Sequence, residues 1–143
     1  MPYQYLEDVA TADIAFEAWG ETVEEMFKAT ADATMNVMVE DLNAIDSKEQ
    51  KILSVEDDEI DLLLFQFLQE LIFYKDAQDL LLRIEDLHIK KEDGRFSCLA
   101  EAYGEKLDAG KHALNVDIKA ITLHRFEVKE TLRGWEATVV LDI

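Results

Sequence analysis

Two aspartates near opposite ends of the chain have the setting that best suits a chemical site. Asp13 lies in "TADIAFEAWG", and Asp142 is the penultimate residue, in "VVLDI". Each is flanked by apolar residues on a predicted strand, so a sheet would hold its carboxylate in a fixed position, as a site requires. Most other acids, including Glu24, Asp41 and residues 57–59, are better explained as solvated faces or as the first residues of helices.

Recognisable enzyme motifs are nearly absent from the sequence. It contains no glycine-rich phosphate loop, no GxSxG and no HExxH. His88, His112 and His124 lie too far apart for their spacing to indicate a cluster, and a lone histidine on a strand, such as His124, is more often structural than chemical. Cys98 has no second thiol in the chain to pair with, so we expect it in the core. The acids therefore remain as the candidates for a chemical site.

The pattern in the N-terminal half of the chain predicts two successive units, each a strand followed by a helix. Apolar residues with a period of two place one face of the first strand in the core: Ala12, Ile14, Phe16 and Ala18. Thr22 and Glu25 have the spacing of a capping box, and the helix that they begin should run to about Val39. "QKILSV" predicts a short strand. "EDDEIDLLLFQFLQELIFYK" predicts a second helix from Glu56, because its early acids suit the positive end of the helix dipole.

The C-terminal half predicts two hairpins. "LLLRIEDLHIKK" and "RFSCLAEAYGEKL" are strand-like runs separated by "EDG", a tight-turn signal. "IKAITLHRFEVKE" and "WEATVVLDI" form the second pair, joined near Arg133 and Gly134. The whole pattern predicts one domain over residues 1–143, of the α+β class, with one largely antiparallel sheet and two helices packed on it.

The net charge of the chain limits the kinds of molecule that it can bind. Thirty-two Asp and Glu stand against 14 Lys and Arg, which gives a net charge of -18. Nucleic-acid affinity comes mainly from basic side chains that displace counterions, so direct RNA or DNA binding is disfavoured. A basic protein partner or a bound cation would be attracted, although a solubilising or salt-adapted surface explains the same charge.

Targeting to a membrane is not indicated. The longest apolar stretches, such as "DLLLFQFLQELIFY", are short and interrupted by Gln and Glu. The N-terminus lacks a basic start followed by an apolar run. We therefore expect a cytoplasmic protein.

Several blocks in a fixed order resemble the archease family over almost the whole chain. They are "TADIAFEAWG", "TVEEMF", "EIDLLLFQFLQELIF", "AYGEKLD", "KAITLHRFEV" and "VVLDI". The resemblance implies a compact α+β fold and a non-catalytic activator of the RtcB-type tRNA-splicing RNA ligase, which promotes the guanylylation and multiple turnover of that ligase. It also implies a cation held by Asp13, by Asp142 and by the terminal carboxylate of Ile143.

The chemistry of these groups suits a hard divalent cation. Two carboxylates about 5 Å apart repel by roughly 3 kcal/mol at an effective dielectric of about 20, so a sheet that brings them together calls for a cation or a proton between them. Ligation by oxygen alone suits Ca²⁺, Mg²⁺ or Mn²⁺, and suits zinc or copper poorly.

The block "KAITLH" supplies two further candidates through the resemblance. Lys119 and His124 match its basic position and its imidazole, and are expected to contact the ligase or its nucleotide. The chain departs from the family pattern at Ala10, where archeases usually have His, and at Leu123, where they usually have Tyr. These departures put in doubt any docking role of that His or Tyr, but leave both aspartates in place.

Two other classes of function stay open. A small metal-dependent hydrolase would need a water-activating base near Asp13 and Asp142, and would turn over without a partner. A chaperone-like binding module is supported by the acidic surface and the apolar sheet, but by no motif, and would suppress aggregation of unrelated proteins.

Overall fold

Seven strands and two long helices form the structure, a computed structural model that describes residues 2–7 and 13–143. In chain order the elements are β1 (Tyr3–Leu6), β2 (Asp13–Gly20), α1 (Val23–Met38), a short 3-10 helix (Leu42–Ala44), β3 (Glu49–Asp57), α2 (Ile60–Gln78), β4 (Leu80–Glu92), β5 (Arg95–Lys106), β6 (Ala120–Thr131) and β7 (Gly134–Asp142). The predicted α+β class is confirmed. Ala10 and Ala12, on which sequence predictions were made, lie outside the described residues.

The strands form two antiparallel sheets, whereas the sequence predicted one. The four-stranded sheet has the order β1-β2-β7-β6, and the three-stranded sheet has the order β3-β5-β4. Helix α1 contacts β1, β2 and β7 of the first sheet and β4 of the second, and α2 contacts strands of both sheets as well. The helices therefore lie between the sheets. Periodicity alone predicts the strands but not how they are divided between sheets, because it contains no information on long-range pairing.

Helix α1 begins and ends close to its predicted limits. The backbone N–H of Glu25 donates to the Thr22 hydroxyl at 3.1 Å, and the Glu25 carboxylate accepts from the backbone N–H of Glu21 at 2.9 Å. Because both sheets cover this helix, even its polar residues Thr30 and Thr34 are buried. Their hydroxyls donate to carbonyls of the preceding turn, at Phe27 and Thr30, so neither hydroxyl is left unsatisfied in the core.

Helix α2 starts later than predicted. Glu56 and Asp57 are the last residues of β3, where they pair with Ser97 and Phe96 of β5, and the helix begins at Ile60. The acids at this position therefore end a strand. The ladder to β5 continues as far as Asp57 and satisfies the backbone groups of this segment, and this tertiary pairing outweighs the dipole preference of the acids.

Both predicted hairpins are present. The first turns at Asp93 and Gly94, whose φ angles of 52° and 75° suit a tight turn between strongly twisted strands. Cys98, on β5, is buried in the core as expected, and its burial raises the pKa of the thiol to about 12. Within residues 2–7 and 13–143, neither helix has the length and apolar character needed to cross a membrane.

Candidate functional site

The register of β2 and β7 brings the two predicted aspartates together. Asp13 is directly opposite Asp142, with Ile14 opposite Leu141 and Phe16 opposite Val139. Directly opposed residues of antiparallel strands point to the same face, with Cβ atoms about 5 Å apart. Phe16, Val139 and Leu141 are buried in the core, so the two aspartates lie on the other face of the sheet, where both are half-buried.

The chain ends one residue after this pair. Ile143 follows Asp142, and its side chain is half-buried and packs against the core. Packing of the side chain holds the end of the chain in place, so the terminal carboxylate lies within one residue of the aspartate pair. The prediction that this carboxylate is a ligand stays a prediction, because no metal contact tests it.

The start of β6 lies beside the same pair. Ala120 is opposite Asp142 on the other side of β7, and the backbone N–H of Lys119 donates to the carbonyl of Asp142 at 2.8 Å. The Lys119 side chain is exposed. The structure therefore brings together three of the five residues predicted from the sequence, Asp13, Asp142 and Lys119, with Ile143 adjacent in the chain.

His124 is placed differently from the other four. After Thr122 pairs with Val140, the ladder resumes only where Glu127 pairs with Thr138, so residues 123–126 of β6 stand opposite a single residue of β7. Such a bulge bends the strand and turns its side chains away from the regular alternation. His124 is exposed within this bulge, four residues beyond Ala120, and Leu123 beside it is 58% exposed.

The bulge is fixed by its neighbours. Arg125 has a φ of 55°, in the left-handed region that non-glycine residues rarely adopt. Phe126 turns inward and packs edge-on against Phe65 of α2, with ring centroids 5.7 Å apart. This contact holds the bulge against α2 and leaves Leu123 and His124 facing outward, where they are accessible to a partner.

The oxygen donors of this site fit a hard cation. Neither Asp13 nor Asp142 forms an ion pair with Lys, Arg or His among the residues that the structure describes. In the same part of the chain there is no group of three His, Cys, Asp or Glu side chains that could hold a metal. Two side chains alone make a weak site, and the third anionic group that the family resemblance implies is the terminal carboxylate of Ile143.

The segment that leads into the site is anchored by a buried lysine of α2. Residues 107–119 have no strand or helix and connect β5 in one sheet to β6 in the other. Near its end, the buried ammonium of Lys75 on α2 pairs with Asp117 and donates to the carbonyl of Ile118 at 3.2 Å. This anchor stands directly before Lys119, so it fixes the position at which β6 begins beside Asp142.

A second buried cluster holds the start of this segment. Glu105 and His112 are almost fully buried, with Glu105 Oε2 and His112 Nε2 3.2 Å apart. Lys111 Nζ lies 2.7 Å from the same Glu105 oxygen, and the backbone N–H of Asp46 donates to it at 2.6 Å. Sequence reasoning treated His112 as isolated and did not single out Glu105. Glu105 lies in the block "AYGEKLD", but nothing in its spacing predicts that the following segment folds over it.

The contacts of the Glu105 carboxylate predict that the fold loses stability in acid. The carboxylate accepts hydrogen bonds from the Lys111 ammonium and the backbone N–H of Asp46, and its third partner is the His112 ring. These hydrogen bonds lower the pKa of Glu105 to about 2. A lowered folded-state pKa gives stability that is present above the unfolded value near 4.5 and is lost as the pH falls towards 2. We expect Glu105→Gln to lower Tm by roughly 5 °C at pH 7, and by much less at pH 3.

Thermal melts followed by circular dichroism at both pH values would test this expectation. Glu101→Gln is the matched control, because Glu101 lies on the same strand but is exposed. If the difference in Tm between wild type and Glu105→Gln is the same at pH 3 as at pH 7, the carboxylate does not stabilise the fold through its charge.

Comparison with known proteins identifies similar sequences over nearly the whole chain. The family model described as the Archease protein family (MTH1598/TM1083) matches residues 3–143. The protein archease of Pyrococcus abyssi is 37% identical over 134 residues, which cover 93% of this chain and 94% of the relative. The protein archease of Methanosarcina mazei is 37% identical over 142 residues, which cover 99% and 95%.

Two solved structures are similar to the present one. The solution structure of protein 1598 of Methanobacterium thermoautotrophicum has a TM-score of 0.86 and 26% identity, and the match covers 99% of both chains. The crystal structure of a Thermotoga maritima protein, described as an archease and possible chaperone, has a TM-score of 0.61 and 19% identity over 96% of this chain and 97% of that one. At this identity the second likeness shows the fold alone.

Proposed function

The chain belongs to the archease family, and from this premise we propose that it is a non-catalytic activator of an RtcB-type tRNA-splicing RNA ligase. In this proposal it acts in the cytoplasm, contacts the ligase directly and promotes the guanylylation and multiple turnover of that enzyme. A divalent cation, Ca²⁺, Mg²⁺ or Mn²⁺, is held by Asp13, Asp142 and the terminal carboxylate of Ile143.

One observation supports this proposal more than any other: Asp13 and Asp142, 129 positions apart in the sequence, are direct cross-strand neighbours on one face of the sheet. Like charges placed directly opposite each other destabilise a sheet. A fold that holds two half-buried carboxylates there gains from a cation between them, which reverses the sign of their interaction.

The residues beside the pair suit a contact surface. Lys119 is tied to Asp142 through its backbone N–H, so its exposed side chain starts from a fixed point next to the carboxylates. Leu123 and His124 project from the bulge of the same strand. We propose that Lys119 and His124 contact the ligase or its bound nucleotide from this edge of the sheet, with Lys119 suited to a phosphate.

Guanylylation of the ligase tests this proposal. The ligase would be incubated with radiolabelled GTP and Mn²⁺, with or without this protein, and the covalent guanylate on the ligase measured over time. We expect faster and more complete labelling when the protein is present, and no label on the protein itself. Equal labelling in both reactions would contradict the proposed activation.

We also expect the free protein to have negligible affinity for tRNA at physiological salt. Phosphate binding needs clustered Lys and Arg, whereas this chain has 14 of them against 32 acids. Fluorescence anisotropy with labelled tRNA would show no binding up to tens of micromolar protein on this account. Salt-sensitive binding at micromolar protein would mean that the protein reaches RNA without the ligase.

A chaperone-like binding function is the second candidate, since the similar Thermotoga maritima structure is described as a possible chaperone. Apolar side chains that stand exposed, such as Phe73 (55%) and Ile52 (52%), would be the contacts for unfolded chains. Suppression of the aggregation of two unrelated heated proteins at equimolar amounts would support this function. Light scattering is the measurement, and no suppression would exclude it.

A further inference from the structure

An open groove lies at the end of the four-stranded sheet that is remote from Asp13 and Asp142. It is lined by the end of β2, the start of α1 and the β6–β7 hairpin, and it includes Trp19, Glu21, Arg133 and Trp135. Trp19 is six residues along β2 from Asp13, which is about 20 Å in an extended strand. The groove is therefore separate from the proposed cation site.

The groove is acidic and aromatic. Its acids outnumber Lys and Arg by five to two, and they are Glu17, Glu21, Glu25, Asp32 and Glu136. Asp32 is paired with Arg83, and Glu136 lies 3.7 Å from Arg133. Glu17 accepts only from the neutral amide of Gln4, and the carboxylate of Glu21 has no hydrogen-bond or ion-pair partner among residues 2–7 and 13–143. Glu25 accepts from the backbone N–H of Glu21 and forms no ion pair in the same ranges, so three of the five carboxylates are without a cationic partner in the described part of the chain.

Trp19 stands beside two of these three carboxylates. Its large aromatic side chain is 38% exposed, and it lies close to Glu17 and Glu21 along the chain. A tryptophan face flanked by carboxylates attracts Arg and Lys in two ways, through the ring quadrupole and through charge. Together, the groove, the exposed ring and the acids are complementary to an extended basic segment.

We propose that this groove binds an extended Arg- and Lys-rich segment of a partner protein. The occupant is a peptide and not a nucleic acid, because phosphate would be repelled by the same acids. It is not a single metal ion either, because no group of three acidic, His or Cys side chains within metal-binding reach occurs in the described ranges. The inference is independent of the proposed action on the ligase.

The protein contains its own probe for this binding. Its two tryptophans, Trp19 and Trp135, both line the groove. Intrinsic fluorescence would be titrated with N-acetyl hexa-arginine amide, which has no aromatic residue, and with N-acetyl hexaglutamate amide for comparison. We expect a saturable change in emission with the arginine peptide and none with the glutamate peptide.

Charge-matched double variants separate the groove from general attraction to an acidic protein. Glu17→Gln/Glu21→Gln removes two charges from the groove, and Glu92→Gln/Glu101→Gln removes two exposed charges from the three-stranded sheet. We expect at least roughly fivefold weaker binding by the first pair and less than roughly twofold by the second. Circular dichroism would verify that both variants fold.

Two results would overturn the proposal. One is equal weakening by the two double variants, which would mean diffuse attraction to the net charge. The other is the absence of any saturable fluorescence change with the arginine peptide at low salt, which would mean that the groove does not take a basic segment.

Discussion

Replacing Asp13 or Asp142 with asparagine is expected to abolish activation of the ligase while leaving the protein folded. Asparagine keeps the size of the side chain and one oxygen donor but removes the negative charge on which hard cations depend. Only one aspartate of the pair then keeps its charge, so the affinity for the cation should fall by roughly 100-fold or more. Tm without metal should hold or rise, because the cross-strand repulsion disappears.

Calorimetric titration with Ca²⁺ and Mn²⁺, combined with the ligation assay, would check both parts of this prediction. Glu127→Gln is the matched control. It removes one exposed acid from the same sheet, on β6, without touching the Asp13 and Asp142 pair. Full activation of the ligase by either aspartate variant would contradict the assignment of the cation site.

Extending the C-terminus by two glycines should weaken cation binding by roughly tenfold or more. The extension turns the terminal carboxylate of Ile143 into a neutral peptide carbonyl, so the site loses one of three anionic groups. The apolar side chain of Ile143 can still pack against the core. Thermal stability without metal should therefore change little.

An extension of the same two glycines at the N-terminus is the control for this experiment, and wild type is the reference. Binding of Ca²⁺ and Mn²⁺ by calorimetry and melting with and without metal would be compared for all three proteins. If the C-terminally extended protein binds both ions as tightly as wild type, Ile143 is not a ligand and the site consists of the two aspartates.

The two aspartates of the candidate site were accessible to sequence reasoning because they lie on strands of simple alternation, whereas Ile143, Lys119 and His124 were identified only through the family resemblance. Asp142 occupies the polar phase of "WEATVVLDI", and the structure buries Ala137, Val139 and Leu141 of the other phase, as the pattern predicted. The alternation also predicted the core face of β2, where Phe16 and Ala18 are buried. It did not establish that β2 lies next to β7, since strand pairing across the whole chain leaves no local signal.

Other features depend on tertiary contacts that local patterns do not contain. The bulge at residues 123–126 arises where Phe126 turns inward to pack on Phe65, a residue of the distant helix α2. The burial of Glu105 and His112 depends on how residues 107–119 cross between the sheets. Phe65 is remote in sequence from the bulge, and residues 107–119 have no regular pattern of apolar residues. Local sequence patterns therefore do not predict what surrounds Phe126, Glu105 and His112.

If this protein allows an RtcB-type ligase to act repeatedly, a ligation time course with the ligase limiting over RNA will show it. Without the protein, we expect product that does not exceed about one equivalent of ligase. With wild-type protein we expect many equivalents, and with Asp13→Asn a return to the level of the ligase alone. The same number of turnovers with and without the wild-type protein would contradict the claim.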